Sequence, residues 1–185
     1  MPNLWSQEVF VKAWEYASIA HHGQTYSTPI ASLRLDYLTH IGAVAMELMH
    51  GLALDQQGLD FDYALQCALL HDVFEDTPRT YPELAAEFGL KIADGVAALS
   101  KNPDLPRVEQ MLDSLQRIQQ QPKEVWAVKL ADRINNLSAP PAHWTLERKL
   151  AYQAEAQVIY DHLHSAHLLL AARLQRKIAD YAQYL

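Results

Sequence analysis

The chain has 185 residues, half of them hydrophobic and a fifth charged, the composition of one globular domain that buries a real core and not of a disordered or fibrous chain. Fifteen basic against 22 acidic side chains leave a net charge of −7, which makes it a poor general binder of nucleic acid or anionic membrane, so an anionic substrate needs local positive charge or a metal. Cys67 is the only cysteine, which forbids an internal disulfide, excludes a four-cysteine zinc site and fits a reducing, cytoplasmic setting.

Met1-Pro2-Asn3-Leu4-Trp5 lacks the basic segment and apolar run of a signal peptide. No apolar stretch approaches the roughly 18 residues of a membrane helix. Val9, Phe10, Ala13, Trp14, Ala17 and Ala20 recur three or four apart and mark a first helix ending near Gly23. Residues 23–36 lack periodicity and contain Pro29, which predicts a loop. A second helix runs from Tyr37 to His50 with Gly51 as its stop, and a third from Phe61 to Val73. Thr80 with Glu83 resembles a capping box that opens a short helix before Gly89. Further helices cover Lys91 to Leu99, Arg107 to Gln120 and Lys123 to Leu137, the last two each preceded by a proline. Thr145 caps a long C-terminal helix that reaches His164 or beyond and breaks once before Leu185. No strand pattern, repeat or linker is visible, so a single all-α domain is the economical reading.

The chemistry concentrates in Leu69-Leu70-His71-Asp72-Val73-Phe74-Glu75-Asp76-Thr77. His71 and Glu75 are four apart, as are Asp72 and Asp76, so on a continuing helix each pair shares neighbouring faces. An acidic cluster after a helix is ordinarily a solvated end, and a lone histidine on an apolar stripe is ordinarily a satisfied core residue. Negative charge at a helix C-terminus opposes the macrodipole, however, and a bound cation would relieve it. Two other segments point the same way. His40 opens an otherwise apolar helix, and Asp132 interrupts the apolar run Val128-Lys129-Leu130-Ala131-Asp132-Arg133-Ile134. A buried carboxylate wants a cation, which is either a metal or Arg133.

A histidine, then His-Asp, then a distant aspartate resembles the HD-domain metal phosphohydrolases. Ala20-His21-His22-Gly23-Gln24, Tyr37-Leu38-Thr39-His40, Ala68 to Thr77, Phe88-Gly89 and Lys129-Leu130-Ala131-Asp132-Arg133-Ile134-Asn135-Asn136-Leu137 follow one another as in the RelA/SpoT hydrolase domain, over residues 8–165. The resemblance implies a helical HD-domain bundle, with residues 1–185 as one domain, and a stand-alone small alarmone hydrolase. It implies that His40, His71, Asp72 and Asp132 bind one divalent metal, usually Mn2+, and that Glu75 and Asp76 hold and deprotonate the attacking water. The physics is compatible: a metal lowers the pKa of bound water from about 15.7 towards about 7, and a carboxylate in reach accepts the proton. Asn136 is expected at the nucleotide sugar or phosphate. Lys101, Lys129 and Arg148 are candidates for the outer phosphate, with a solvated surface cation as the ordinary alternative for the two lysines.

The sequence departs from guanine-specific members in the loop before His40. Of their Arg-Lys-Ser-Gly-x-Pro-Tyr stretch only Tyr37 clearly survives, and the loop is longer by about five residues, a kind of change that alters specificity. Tyr26 stands where the base-stacking arginine is expected, and an aromatic ring stacks on either purine. Arg34 is the candidate replacement cation.

The leading expectation is therefore a 3′-pyrophosphohydrolase of a stringent-response alarmone, (p)ppGpp or (p)ppApp. The alternatives are a phosphatase for the 2′- or 3′-phosphate of a nucleotide such as NADPH, and a module that binds an alarmone without cutting it. The partner is a small-molecule nucleotide, not nucleic acid or membrane, and a homo-oligomer is compatible with the sequence. His21, His22 and His143 read as satisfied or exposed histidines, and His50, His162, His164 and His167 have no assigned role.

Overall fold

The computed structural model describes residues 5–185; the reading of the N-terminus as lacking a signal peptide falls almost wholly outside them. Helix α1 (Gln7–Ala20) is opened by Ser6, whose hydroxyl accepts from the Val9 amide, and is tied to the core by the Ser6 amide donating to Asp62 (2.7 Å). It ends at His21, and Gly23 then takes φ +77°, a turn that residues with a Cβ rarely adopt.

The segment expected to be a loop is a short antiparallel hairpin, β1 (Thr25–Ser27) with β2 (Arg34–Asp36), in which Tyr26 pairs with Leu35. Three-residue strands are too short to display alternation. What holds them is local: the Arg34 guanidinium donates to the Thr25 hydroxyl (2.7 Å) and carbonyl (2.9 Å) and to Ser27 (3.2 Å), while the Thr28 hydroxyl meets the Ile30 and Leu33 carbonyls.

Helix α2 (Leu38–Leu54) runs through Gly51 instead of stopping there. The glycine serves packing: a Cβ on it would lie 3.0 Å from Leu170 Cδ2. Helix α3 (Phe61–Leu70) ends three residues earlier than the expected Val73. The chain turns at His71 and Asp72, and a separate single turn, α4 (Val73–Asp76), carries the acidic cluster. That break replaces the expected continuous helix, while the Asp76 amide still donates to the Asp72 carbonyl (2.9 Å) across α4. The capping box Thr80–Glu83 opens α5 (Tyr81–Phe88), and Gly89 at φ +87° joins it to α6 (Leu90–Leu99). Helices α7 (Arg107–Gln119) and α8 (Lys123–Asn136) each follow a proline, and Thr145 caps α9 (Leu146–Leu163) through the Arg148 amide. A 3-10 turn (His164–Ala166) leads to α10 (Leu168–Asp180). His167 caps that helix and donates from Nε2 to the Asp55 carbonyl (2.6 Å), stitching the C-terminal end of α2 to α10.

The core is built where α2, α3 and α8 meet, with α1 on α3, α10 on α8, and α6 on α3 and α7. The expectation of an all-α fold holds, the hairpin being its one addition among the described residues. No helix among them is long and apolar enough to cross a membrane. Helix α8 is buried nearly all round, and four charged side chains are buried on it, so each must be partnered. Glu124 accepts from the Asp60 amide (2.7 Å), Lys129 pairs with Asp132 (3.1 Å), and Arg133 pairs with Glu155 beneath the Tyr152 ring.

Gly95 marks a tight helix crossing. A Cβ there would sit 2.9 Å from both Cys67 Sγ and the Tyr63 hydroxyl and 3.2 Å from Val125. In an exposed helix Gly→Ala is stabilising by roughly 0.5–1 kcal/mol. Here overpacking reverses the sign, and Gly95→Ala is expected to cost about 1–3 kcal/mol. Thermal denaturation should show a loss of roughly 2–4 °C per kcal/mol for a domain of this size; a raised Tm would contradict the crossing.

Candidate active site

Four side chains from three different places in the chain converge. His40 comes from the first turn of α2, His71 and Asp72 from the break between α3 and α4, and Asp132 from the middle of α8. His40, His71 and Asp72 offer ligand atoms that all lie within 4.8 Å of one another. Asp132 Oδ1 lies 3.5 Å from His40 Nε2 and 3.9 Å from His71 Nε2, and Asp72 Oδ2 lies 3.6 Å and 3.0 Å from the same two nitrogens.

Each imidazole is oriented from its far side. His40 Nδ1 donates to Asn135 Oδ1 (2.7 Å) and His71 Nδ1 donates to the Ala68 carbonyl (2.7 Å). Acceptors on both Nδ1 atoms leave the two Nε2 atoms free to present lone pairs to the centre. His71 Nε2 is buried and takes no hydrogen bond, despite the carboxylate 3.0 Å away. An orphaned buried nitrogen pointing between two carboxylates is what a cation ligand looks like without its cation. Two imidazoles and two carboxylates are a donor set that holds a divalent metal ion.

The electrostatics agree. Burial pulls the His71 imidazole down, but Asp72 beside it and Asp132 beyond overcome that and raise it to about 9. Burial would push both aspartates up; the His71 imidazole beside Asp72 and the Lys129 ammonium beside Asp132 hold them instead below the usual carboxylate range. The site therefore concentrates negative charge that only cations satisfy.

The expected substrate residues divide. Tyr26, Tyr37, His40, Asn136 and Arg148 line one cavity of about 390 Å³, together with Asn135, His143, Trp144 and Tyr152. Glu75, Lys101 and Arg148 line a second, of about 700 Å³, which shares Trp144, Arg148 and Tyr152 with the first. Glu75 is fixed by Lys101, whose amide (3.1 Å) and ammonium (2.9 Å) both donate to it. Burial alone would lower the Lys101 ammonium, and Glu75 raises it. Asp76 opens on a smaller cleft with Gln24, Thr25, Arg34 and Tyr37, and desolvation pushes its carboxyl up.

Three expectations change. Lys129, proposed for an outer phosphate, is buried and lines none of these cavities, because its ammonium is committed to Asp132. Asn136 reaches the cavity, but its amide donates to Asp132 Oδ1. Arg34 is held within the hairpin and faces the Asp76 cleft, not the cavity that Tyr26 lines. The Tyr37 hydroxyl donates to Asp72 Oδ2 (2.6 Å), so this tyrosine braces the centre as well as lining the cavity. Sequence reasoning missed Asn135, although its place three residues after Asp132 on α8 puts it on a neighbouring face. It also missed the aromatic wall, where Arg148 lies 4.1 Å over Trp144, and Trp144 meets Tyr152 edge-on at 5.0 Å.

Comparison with known proteins agrees with this geometry. The HD domain family model matches residues 13–169. The guanosine-3′,5′-bis(diphosphate) 3′-pyrophosphohydrolase MESH1 of Danio rerio is 27% identical over 179 residues, covering 94% of each chain. The bifunctional (p)ppGpp synthase/hydrolase SpoT of Escherichia coli is 35% identical over 132 residues, 68% of this chain and 17% of SpoT. A solved structure of a metazoan ortholog of SpoT superposes with a TM-score of 0.80 at 24% identity, covering 97% of this chain and 98% of the other, which establishes a shared fold. The chain belongs to the HD-domain family, and the relatives it resembles there are hydrolases of the RelA/SpoT type.

Proposed function

We propose that this chain is a divalent-metal-dependent pyrophosphohydrolase that removes the 3′-pyrophosphate of a purine nucleotide alarmone, (p)ppGpp or (p)ppApp. The observation that carries the reading is the convergence of His40, His71, Asp72 and Asp132 beside a cavity walled by aromatic side chains. The relatives named as (p)ppGpp hydrolases support the substrate class. A cytoplasmic setting goes with it.

His40, His71, Asp72 and Asp132 would hold the ion, with Mn2+ the proposed metal. When bound there, it supplies Lewis acidity that acidifies a water and screens phosphate oxygens. Glu75 and Asp76 are assigned to hold that water and accept its proton. The water oxygen bonds to the phosphorus on the ribose 3′-oxygen, the bond between them breaks, the 3′-oxygen takes up a proton, and pyrophosphate leaves.

Lys101 positions Glu75 and, with Arg148, faces the cavity suited to phosphate charge. Tyr26 and Tyr37 supply ring surface for a purine. Arg34 is tied into the hairpin, so the base meets aromatic surface there, which favours neither guanine nor adenine.

Chelation with EDTA is expected to abolish pyrophosphate release, and Mn2+ to restore it; chelator-resistant turnover would remove the metal from the reading. Glu75→Gln should keep its metal content by elemental analysis while turnover falls about 10²- to 10⁴-fold. Undiminished turnover would take Glu75 out of the reaction. With ppGpp, ppApp and NADPH assayed side by side, pyrophosphate from an alarmone is the expected product. Orthophosphate from NADPH alone would make the protein a nucleotide phosphatase, and tight alarmone binding without product would make it a binding module.

A further inference from the structure

The histidine that ends α1 is buried to 1% exposure. His21 Nδ1 meets Gln24 Oε1 at 2.8 Å. That oxygen only accepts, so Nδ1 carries the proton and Nε2 is left as a lone pair, buried and without a partner. The same Gln24 side chain turns its amide nitrogen onto the backbone carbonyl of Asp76 (2.5 Å), 52 residues away. Its backbone carbonyl accepts from the Tyr37 amide (3.0 Å).

The His21 ring also stacks on Tyr37, with centroids 5.0 Å apart and planes 25° apart, and Tyr37 is the phenol that donates to Asp72. One imidazole thus touches both arms of the acidic segment. One arm runs through Gln24 to the last residue of α4, the other through Tyr37 to the residue that precedes α4. Helix α4 is a single turn of four residues, too short to hold its own orientation by helical hydrogen bonding.

We infer that His21 is a positioning residue, resting on the reading above, which sets the Glu75–Asp76 turn through Gln24, with its stacking on Tyr37 a packing contact only. It touches neither substrate nor metal. Its two contacts can be separated by substitution. His21→Phe keeps a ring against Tyr37 and loses the bond to Gln24. His21→Asn loses the ring, but its amide nitrogen occupies nearly the place of Nδ1 and still donates to Gln24. Gln24→Met removes the link to Asp76 and leaves His21 in place.

The test measures amide hydrogen exchange over residues 72–77 in the metal-free full chain, and kcat and KM for ppGpp and ppApp in the Mn2+-loaded chain. His21→Phe and Gln24→Met are expected to raise exchange in 72–77 at least tenfold, with α2 and α8 unchanged. They should lower kcat tenfold or more, with KM within twofold of wild type. His21→Asn is expected to restore most of the exchange protection and most of kcat. Wild-type exchange and kcat in both His21→Phe and Gln24→Met would overturn the inference. So would an equal loss in His21→Phe and His21→Asn accompanied by a lower Tm, which describes a residue that merely fills space. If the wild-type chain releases no pyrophosphate, the functional reading falls separately; the exchange pattern still decides, a rise confined to His21→Phe and Gln24→Met supporting the positioning role and its absence refuting it.

Discussion

A carboxylate in the middle of a buried helix is the constraint from which the rest of this molecule follows. Asp132 is 5% exposed on α8, and an ionised carboxylate so placed is costly unless cations and hydrogen-bond donors surround it. Lys129 and Asn136 each donate to one of its oxygens, and His40 and His71 stand beyond. The Lys129 pair lies one helical turn along α8, so it is set locally. The two histidines come from other helices, so the charge draws α2 and the α3–α4 break onto α8. That arrangement is the centre of the domain as much as it is the site.

The second carboxylate sharpens this. Asp72 lies against the same two imidazoles, and Tyr37 donates to it. Two carboxylates cannot share so small a space without positive charge between them. Among the described residues Lys129 stands on the outer side of Asp132 and no comparable cation lies within the centre, while both imidazoles are turned by Asn135 and Ala68 to present Nε2 inward. A protonated His71 offsets part of the charge, and a divalent ion in its place offsets more. The orphaned His71 nitrogen is the structural sign of that exchange.

Around this rigid centre the parts facing a substrate are lightly held. The hairpin that carries Tyr26 is two three-residue strands, and Glu75 and Asp76 sit on a helix of one turn. Such pieces take their geometry from side-chain ties to the scaffold: Lys101 onto Glu75, Gln24 onto Asp76, Arg34 across the hairpin. Rigid ligands with adjustable neighbours is a division that lets one chemistry accept different bases through changes confined to a loop.

Residue pattern alone determined most of the helices, because apolar spacing at 3.6 residues, the Thr80–Glu83 box and the prolines before α7 and α8 are local signals. It also flagged Asp132, since a charged residue inside an apolar run is anomalous wherever it folds, together with His40 and the His71–Asp72 pair, while the resemblance to the HD-domain hydrolases joined the four into one expected ligand set. It could not show that the third helix breaks at His71. Nor could it show that Gly51 is a packing contact and not a stop, or that residues 25–36 pair as strands. Each of those is decided by a partner distant in sequence or by a strand too short to show a period. The same holds for the roles of neighbours. Lys129, Asn136 and Arg34 are polar residues whose hydrogen-bonding partners depend on which groups the fold brings within reach, and only the tertiary structure makes that choice.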